Sequence, residues 1–121
     1  MVYKTVIFDL RVPEIPIPER AAAWFKEAMN RRGIEILKSV LHEFPSPVPG
    51  TNAYSWSFIL SASHAVIHTA PEDSWVEIMV SFCNGSGRPG ESDPKALRQD
   101  IIDFWKPVKL SFSSILGKVP E

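Results

Sequence analysis

Three strand-like segments follow one another between residues 54 and 83, and this run constrains the fold more than any other part of the chain. In residues 54–60 and 75–83 every even-numbered residue is apolar, and most of these are large. Residues 64–69 form a shorter strand candidate between them, after a predicted turn at 61–63 and before a Pro-containing turn at 70–74. Alternation with period two is typical of strands that bury one face. The run therefore predicts three consecutive strands of one sheet.

Two segments outside this run have the features of amphipathic helices. The first begins at Pro18, which suits a first helical turn, and continues for about 15 residues until Gly33 ends it. The second follows an N-cap at Asp93 with Pro94 in its first turn, and runs to about Trp105. Three further strands are predicted at residues 2–10, 34–44 and 108–112.

The resulting element order, β-α-β-β-β-β-α-β, predicts the fold class. Adjacent strands with only two helices favour an α+β domain, a two-layer sandwich in which both helices cover one face of a mainly antiparallel sheet. With no repeat or domain boundary, residues 1–121 are expected to form a single domain. The other sheet face must also be covered, and Trp56, Phe58 and Trp75 are candidates for a dimer interface there, although core burial is commoner for aromatic residues in strands.

Composition narrows the function classes. The chain has 121 residues, 45% of them hydrophobic, so it can bury a substantial core. Its net charge of -1, with no basic run longer than Arg31-Arg32, argues against nucleic-acid binding and against a polybasic membrane surface. The balanced charge favours small molecules or proteins as partners. The N-terminal segment has neither a signal-peptide layout nor the length of a membrane span, so we expect a cytoplasmic protein. A single cysteine leaves no internal disulfide.

Residues 61–72 concentrate side chains capable of nucleophilic or proton-transfer chemistry. The stretch reads S-A-S-H-A-V-I-H-T-A-P-E, and the only cysteine, Cys83, follows eleven residues later. No metal site is expected, because His64 and His68 are about 13 Å apart along an extended strand. A hydrolytic dyad of Cys83 and His68 lacks an identifiable third residue to orient it.

The same stretch resembles the processing-site motif of the prokaryotic S-adenosylmethionine decarboxylases, S-E-S-H-L-S-I-H-T-W-P-E, and eight of its twelve positions agree. The flanking residues add to the resemblance. His42-x-Phe44 is similar to the family's H-R-F, and Phe82-Cys83-x-Gly85 is similar to its T-C-G. The resemblance extends over about residues 34–85.

By this resemblance the chain is a self-cleaving enzyme whose cofactor, a pyruvoyl group, is made from its own backbone. Ser63 would attack the carbonyl of Ala62 to form an ester, and β-elimination would then cut the chain. The new N-terminus would become the pyruvoyl group. His68 would be the base for the elimination, and Ser55 would assist by hydrogen bonding. The enzyme would decarboxylate S-adenosylmethionine and so supply aminopropyl groups for spermidine and other polyamines.

The resemblance also implies roles for three further residues during turnover. Cys83 would protonate the substrate carbon after carbon dioxide has left. Phe44 would stack on the adenine, and Glu72 would bind the ribose hydroxyls.

Strand geometry bears on how these residues meet. If residues 70–74 close a hairpin in which residue 69 faces 75, Cys83 lies opposite Ser61 and therefore close to Ser63. His68 is five residues from Ser63, about 16 Å along an extended strand, which is beyond hydrogen-bond reach. Either the strand bends sharply or His68 acts on Ser63 of a second subunit. A two-fold homodimer with shared sites resolves this conflict and resembles how the family is built.

The chain also departs from the family pattern. Ala62 replaces a Glu, Ala70 replaces a Trp that could stack on adenine, and the loop between Phe44 and Ser55 is longer. Two alternatives therefore stay open. One is a pyruvoyl-dependent decarboxylase of ornithine or arginine, which needs no adenine site, and the other is an unprocessed homologue that only binds ligands.

Overall fold

The computed structural model describes residues 2–61, 63–83 and 94–118, and the order of elements in this part agrees with the prediction. The short 3-10 helix Pro71–Asp73 lies between the fourth and fifth strands. The elements are β1 (Val2–Arg11), α1 (Pro18–Arg31), β2 (Ile36–Glu43), β3 (Tyr54–Leu60), β4 (Ser63–Ala70), β5 (Trp75–Cys83), α2 (Pro94–Trp105) and β6 (Lys109–Lys118). The predicted loop at 84–92 and the N-cap at Asp93 lie outside the described residues.

The strands form one six-stranded sheet in the order β2-β3-β4-β5-β1-β6. Each neighbouring pair is antiparallel. The N-terminal strand β1 thus lies between β5 and β6, both from the C-terminal half of the chain. Both helices pack on one face of this sheet in a single apolar core. The predicted α+β sandwich is confirmed.

The helix-covered face is built from alternate residues of the strands. In β5 the even-numbered residues predicted to be apolar and inward-facing, Val76 through Phe82, are buried. Phe25 of α1 packs on Phe58 of β3 with ring centroids 4.5 Å apart. Trp56 lies on the same face and donates its indole N–H to the carbonyl of Pro18 at 2.9 Å. The suggestion of a dimer interface at Trp56 and Phe58 is therefore wrong, because the helices already cover both.

Polar contacts join the helices to each other and to the sheet. Asp100 of α2 forms ion pairs with Arg31 at 3.0 Å and with Arg32 at 2.7 Å, at the C-terminal end of α1. Tyr54 at the start of β3 is fully buried, and its hydroxyl donates to the carbonyl of Pro16 at 2.9 Å. Burial, and secondarily the charge of Glu19, raises the pKa of Tyr54 well above its ordinary value.

The hairpin between β4 and β5 has a register different from the one predicted. Ala70 pairs with Trp75 and Ser63 pairs with Phe82, so the predicted pairing of residues 69 and 75 is wrong by one position. The cause is the compact turn: the 3-10 helix and a left-handed Ser74 (φ 51°) reverse the chain in four residues, and Ala70 remains in the strand. Cys83 consequently does not lie opposite Ser61.

Candidate functional site

A row of polar side chains crosses the sheet on the face opposite the helices, called here the open face. Residues directly opposite each other in antiparallel strands project to the same side, so cross-strand pairing identifies the members of a row. From β2 to β1, the paired residues are His42, Ser55, His68, Glu77 and Asp9. Five titratable or hydroxyl side chains are thereby lined up at one level of the sheet.

Ser55 and His68 interact directly within this row. The Ser55 hydroxyl and the Nδ1 atom of His68 share a hydrogen bond between β3 and β4. Because the two strands are locked in register, this contact holds the imidazole ring in one orientation. The structure thus brings together two of the residues selected from the sequence.

Aromatic rings flank His68 on both sides. Its ring centroid is 6.1 Å from that of Phe44 and 5.9 Å from that of Trp75. Trp75 is held in turn by Asp9, whose carboxylate accepts the indole N–H at 2.9 Å. Trp75 belongs to the open face, as the sequence suggested, but its place beside His68 was missed. The corrected register explains it, because Trp75 lies directly opposite Ala70.

A shallow pocket of about 160 Å³ lies next to this aromatic group. Phe44 and His68 form part of its wall, together with Ala70 and the exposed Glu72 of the 3-10 helix. The structure therefore also groups the two predicted substrate-binding residues, Phe44 and Glu72. Ligand pockets are usually about 300–1,000 Å³, so the pocket of one chain is small.

Ser63, the predicted nucleophile, occupies the first position of β4 in an unusual backbone conformation. Its φ is 149°, a region that residues with a side chain rarely adopt and that costs on the order of 1–3 kcal/mol. Residues 61 and 62 alone connect β3 to β4, since Leu60 pairs with Ser63. Two hydrogen bonds anchor Ser61 to Glu35. The Ser61 N–H donates to the Glu35 carbonyl, and the Glu35 N–H donates to the Ser61 hydroxyl, both at 2.9 Å. The tether and the short connection constrain Ser63.

The Ser63 hydroxyl has an unexpected partner in the next residue. Its Oγ atom lies 3.0 Å from Nδ1 of His64. Consecutive strand residues normally point to opposite faces, so such a contact requires a departure from regular strand geometry, and the φ of Ser63 supplies it. The sequence offered only the alternation rule here, and that rule keeps the two side chains apart.

Ser63 and His68 do not meet within one chain. The pairing of β4 with both of its neighbours is consecutive from Ser63 to His68, so the strand is not sharply bent. Their separation therefore stays at about 16 Å. The backbone of Cys83 lies one position beyond Phe82, the partner of Ser63. Of Cys83, the predicted proton donor, the structure describes the backbone only.

Metal-binding clusters and membrane-spanning helices are both absent from the described part of the chain. Residues 2–61, 63–83 and 94–118 contain no group of three or more His, Cys, Asp and Glu side chains placed to hold a metal ion. Neither described helix has the length and hydropathy that crossing a membrane would require.

Comparison with known proteins complements this geometry. The family model described as S-adenosylmethionine decarboxylase matches residues 12–116, nearly the whole chain. The fold is similar to the crystal structure of the adenosylmethionine decarboxylase from Aquifex aeolicus VF5, with a TM-score of 0.76 and 19% sequence identity. That alignment covers 99% of this chain and 93% of the other. No curated protein matches the sequence significantly.

Proposed function

The chain belongs to the S-adenosylmethionine decarboxylase family, and we propose that it cleaves itself between Ala62 and Ser63 to make a pyruvoyl-dependent decarboxylase. The observation that carries the proposal is the backbone of Ser63, an L-residue held at a φ of 149° at the start of β4. An activated hydroxyl needs only the preceding carbonyl, which Ala62 provides as well as any other residue would.

Strain at Ser63 favours the reaction because the reaction removes it. The conformational penalty arises from the Cβ of a tetrahedral L-residue. The acyl shift to the ester breaks the bond between the carbonyl carbon of residue 62 and the Ser63 nitrogen, so the φ torsion that carries this strain no longer exists in the ester. The two hydrogen bonds between Ser61 and Glu35 hold the chain before the cut in place while this happens.

We assign the elimination step to His68 supported by Ser55, acting across a dimer. The open face has exposed apolar side chains, among them Val40 (65% exposed) and Ile59 (55% exposed), which a second copy would cover. A central row that includes Val66 and Met79 separates the His68 row from the row of His64. A two-fold axis along this central row would place His68 of one copy over the Ser63 end of the other.

Decarboxylation would use the same composite site. A pyruvoyl carbonyl supplies the electron sink for the electrons released as carbon dioxide leaves. Phe44 would stack on the adenine of S-adenosylmethionine, Glu72 would accept hydrogen bonds from the ribose hydroxyls, and Cys83 would return a proton to the substrate carbon. We place the enzyme in the cytoplasm, in polyamine synthesis, as expected from the sequence.

The intact mass of the purified protein tests the proposal directly. We expect two products, residues 1–62 and residues 63–121, the second blocked at its N-terminus by the pyruvoyl group. Ser63→Ala should remain a single chain. His68→Ala should stop at the ester, which hydroxylamine would split. If the wild-type protein keeps its full-length mass after prolonged incubation, the proposal fails and an unprocessed binding protein becomes the better account.

Mixing two inactive variants tests the shared site. Ser63→Ala keeps His68, and His68→Ala keeps Ser63, so a mixed dimer contains one complete site. We expect cleavage of the His68→Ala chain in the mixture when subunits exchange, and in neither variant alone. Mixed dimers, verified by a tag on one chain, that show no cleavage would contradict sites shared between subunits.

A second candidate is decarboxylation of a plain amino acid such as ornithine or arginine. Ala70 in place of a Trp and the small pocket of about 160 Å³ favour it, since an amino acid needs no adenine site. Release of carbon dioxide from S-adenosylmethionine, ornithine and arginine separates the candidates. We expect turnover of S-adenosylmethionine with weaker binding than in relatives, and turnover of an amino acid alone would overturn this assignment.

A further inference from the structure

We propose that His64 is the base that activates Ser63 for the first covalent step of self-cleavage. This inference rests on the proposed self-cleavage and assigns its opening step to a residue other than His68. The observation that carries it is the 3.0 Å contact between the reacting Oγ atom of Ser63 and Nδ1 of His64. In the tautomer protonated at Nε2, Nδ1 accepts the serine hydroxyl.

The contact has a structural origin that is specific to this strand end. A regular strand would send the side chains of residues 63 and 64 to opposite faces of the sheet. The φ of 149° at Ser63 changes the direction of its Cα–Cβ bond and allows its hydroxyl to reach its neighbour. The unusual backbone of Ser63 therefore delivers the nucleophile to a base.

Other candidate bases are farther away within the chain. His68 lies about 16 Å along the same strand, and its Nδ1 already shares a hydrogen bond with Ser55. His42 lies on β2 opposite Ser55, in the same distant row as His68. The hydroxyl of Ser81, the cross-strand partner of His64, forms a hydrogen bond with the hydroxyl of Thr5 at 3.1 Å. Among the described side chains, His64 is thus the titratable group in hydrogen-bond contact with Ser63 Oγ.

The step balances in protons and bonds. His64 Nδ1 takes the proton from Ser63 Oγ as the oxygen forms a bond with the carbonyl carbon of residue 62. The bond between that carbon and the Ser63 nitrogen then breaks, and the same proton passes from the imidazolium to the nitrogen. The product is an ester with a free amine on Ser63, and no oxidant or other reactant is consumed. Abstraction of the Ser63 α-proton remains the task of His68.

A pair of substitutions at His64 separates base catalysis from simple positioning. Asn places an amide oxygen close to the position of Nδ1, so His64→Asn keeps an acceptor for the Ser63 hydroxyl but cannot take its proton. His64→Ala removes both. We expect both variants to cleave about 100-fold more slowly than wild type, measured by intact mass over time. Imidazole added to His64→Ala should restore part of the rate, and thermal unfolding should confirm that each variant is folded.

The order of steps gives a second readout. His68→Ala should accumulate an ester that hydroxylamine splits, because its acyl shift is intact. Adding His64→Ala to this background should greatly lower the hydroxylamine-sensitive fraction at equal early times, since the ester then forms about 100-fold more slowly. A role of His64 in elimination would instead leave that fraction unchanged and overturn the assignment.

The remaining outcomes are also decisive. If wild type cleaves and His64→Ala matches its rate, or if His64→Asn cleaves as fast as wild type, the base is not His64. If wild type does not cleave at all, the proposed function fails, and this inference fails with it.

Discussion

The two faces of the sheet differ in what covers them, although the same strands build both. In β4, Ile67 is fully buried under the helices while the next residue, His68, lies on the open face beside Ser55. In β5, Ile78 is buried and its neighbour Glu77 belongs to the polar row. Alternate residues of the same strands thus serve stability on the helix-covered face and chemistry on the open face. Substitutions on the open face should therefore change the free energy of unfolding little.

The largest expected difference between the faces is in stability. Ile78 is 0% exposed on the helix-covered face, and Ile115 is 57% exposed on the open face of β6. Ile78→Ala should lower the free energy of unfolding by about 3 kcal/mol through lost burial and a cavity. Ile115→Ala should lower it by less than about 0.5 kcal/mol in dilute, monomeric protein. Denaturant unfolding measures both changes, in a Ser63→Ala background that keeps the protein as one chain. Equal losses of stability in the two variants would contradict the proposed difference between the faces.

The next effect concerns two serines on the open face of β3. Ser55 contacts His68, whereas Ser57 pairs with Val66 in the apolar central row. Ser55→Ala should slow self-cleavage about 100-fold because the imidazole loses its orienting partner. Ser57→Ala, the same change one pleat away, should cleave at the wild-type rate. Similar slowing in both variants would show that the open face acts through packing rather than through the Ser55 and His68 pair.

A smaller effect is expected at Trp75. Its ring lies beside His68 and opposite Ala70, where it can provide an aromatic wall that Ala70 does not. Trp75→Leu should raise KM for S-adenosylmethionine about 5-fold, corresponding to about 1 kcal/mol of aromatic stacking. The matched control is Phe112→Leu, an exposed aromatic on the other face, which should leave KM unchanged. An unchanged KM in Trp75→Leu would remove Trp75 from the substrate site.

The smallest expected effect is a pH dependence of stability that arises from Tyr54 on the helix-covered face. An unfolded tyrosine ionises near pH 10, whereas burial keeps the raised pKa of Tyr54 well above that value. The folded state therefore retains a proton that the unfolded state loses, and stability falls as pH rises above 10. The loss should reach about 0.8 kcal/mol at pH 10.5. Tyr54→Phe should lack this component in otherwise identical unfolding measurements, and a parallel decline in both proteins would contradict it.

Strand periodicity predicted the architecture well because the core imposes it. The bounds of β3 and β5 agree with the prediction, since their alternating apolar residues are the ones that the helices cover. The prediction placed the last strand at 108–112, but β6 extends to Lys118, because pairing with β1 rather than its own alternation determines its length. Tertiary pairing of this kind leaves little trace in the local pattern.

The candidate site was only partly predictable for a related reason. Short motifs selected Ser55, His68, Phe44 and Glu72, and the sheet register brings the first two into contact. The register between β4 and β5, which brings Trp75 close to His68, depended on a left-handed Ser74, a conformation that local sequence did not reveal. The contact between Ser63 and His64 depended on another rare φ, at Ser63. Rare backbone conformations, which only the whole fold can enforce, were therefore the main source of error in the predicted site.

The position of β1 has a consequence for the fate of a cut chain. Division after residue 62 would assign β1, β2 and β3 to one fragment and β4, β5 and β6 to the other. In the sheet order β2-β3-β4-β5-β1-β6 the fragments then alternate, and they share the β3–β4, β5–β1 and β1–β6 borders. The fragments would stay joined by backbone hydrogen bonds, yet refolding after denaturation would require two chains to find each other. Maturation would thus turn a chain that folds by itself into a two-chain complex whose persistence depends on slow unfolding.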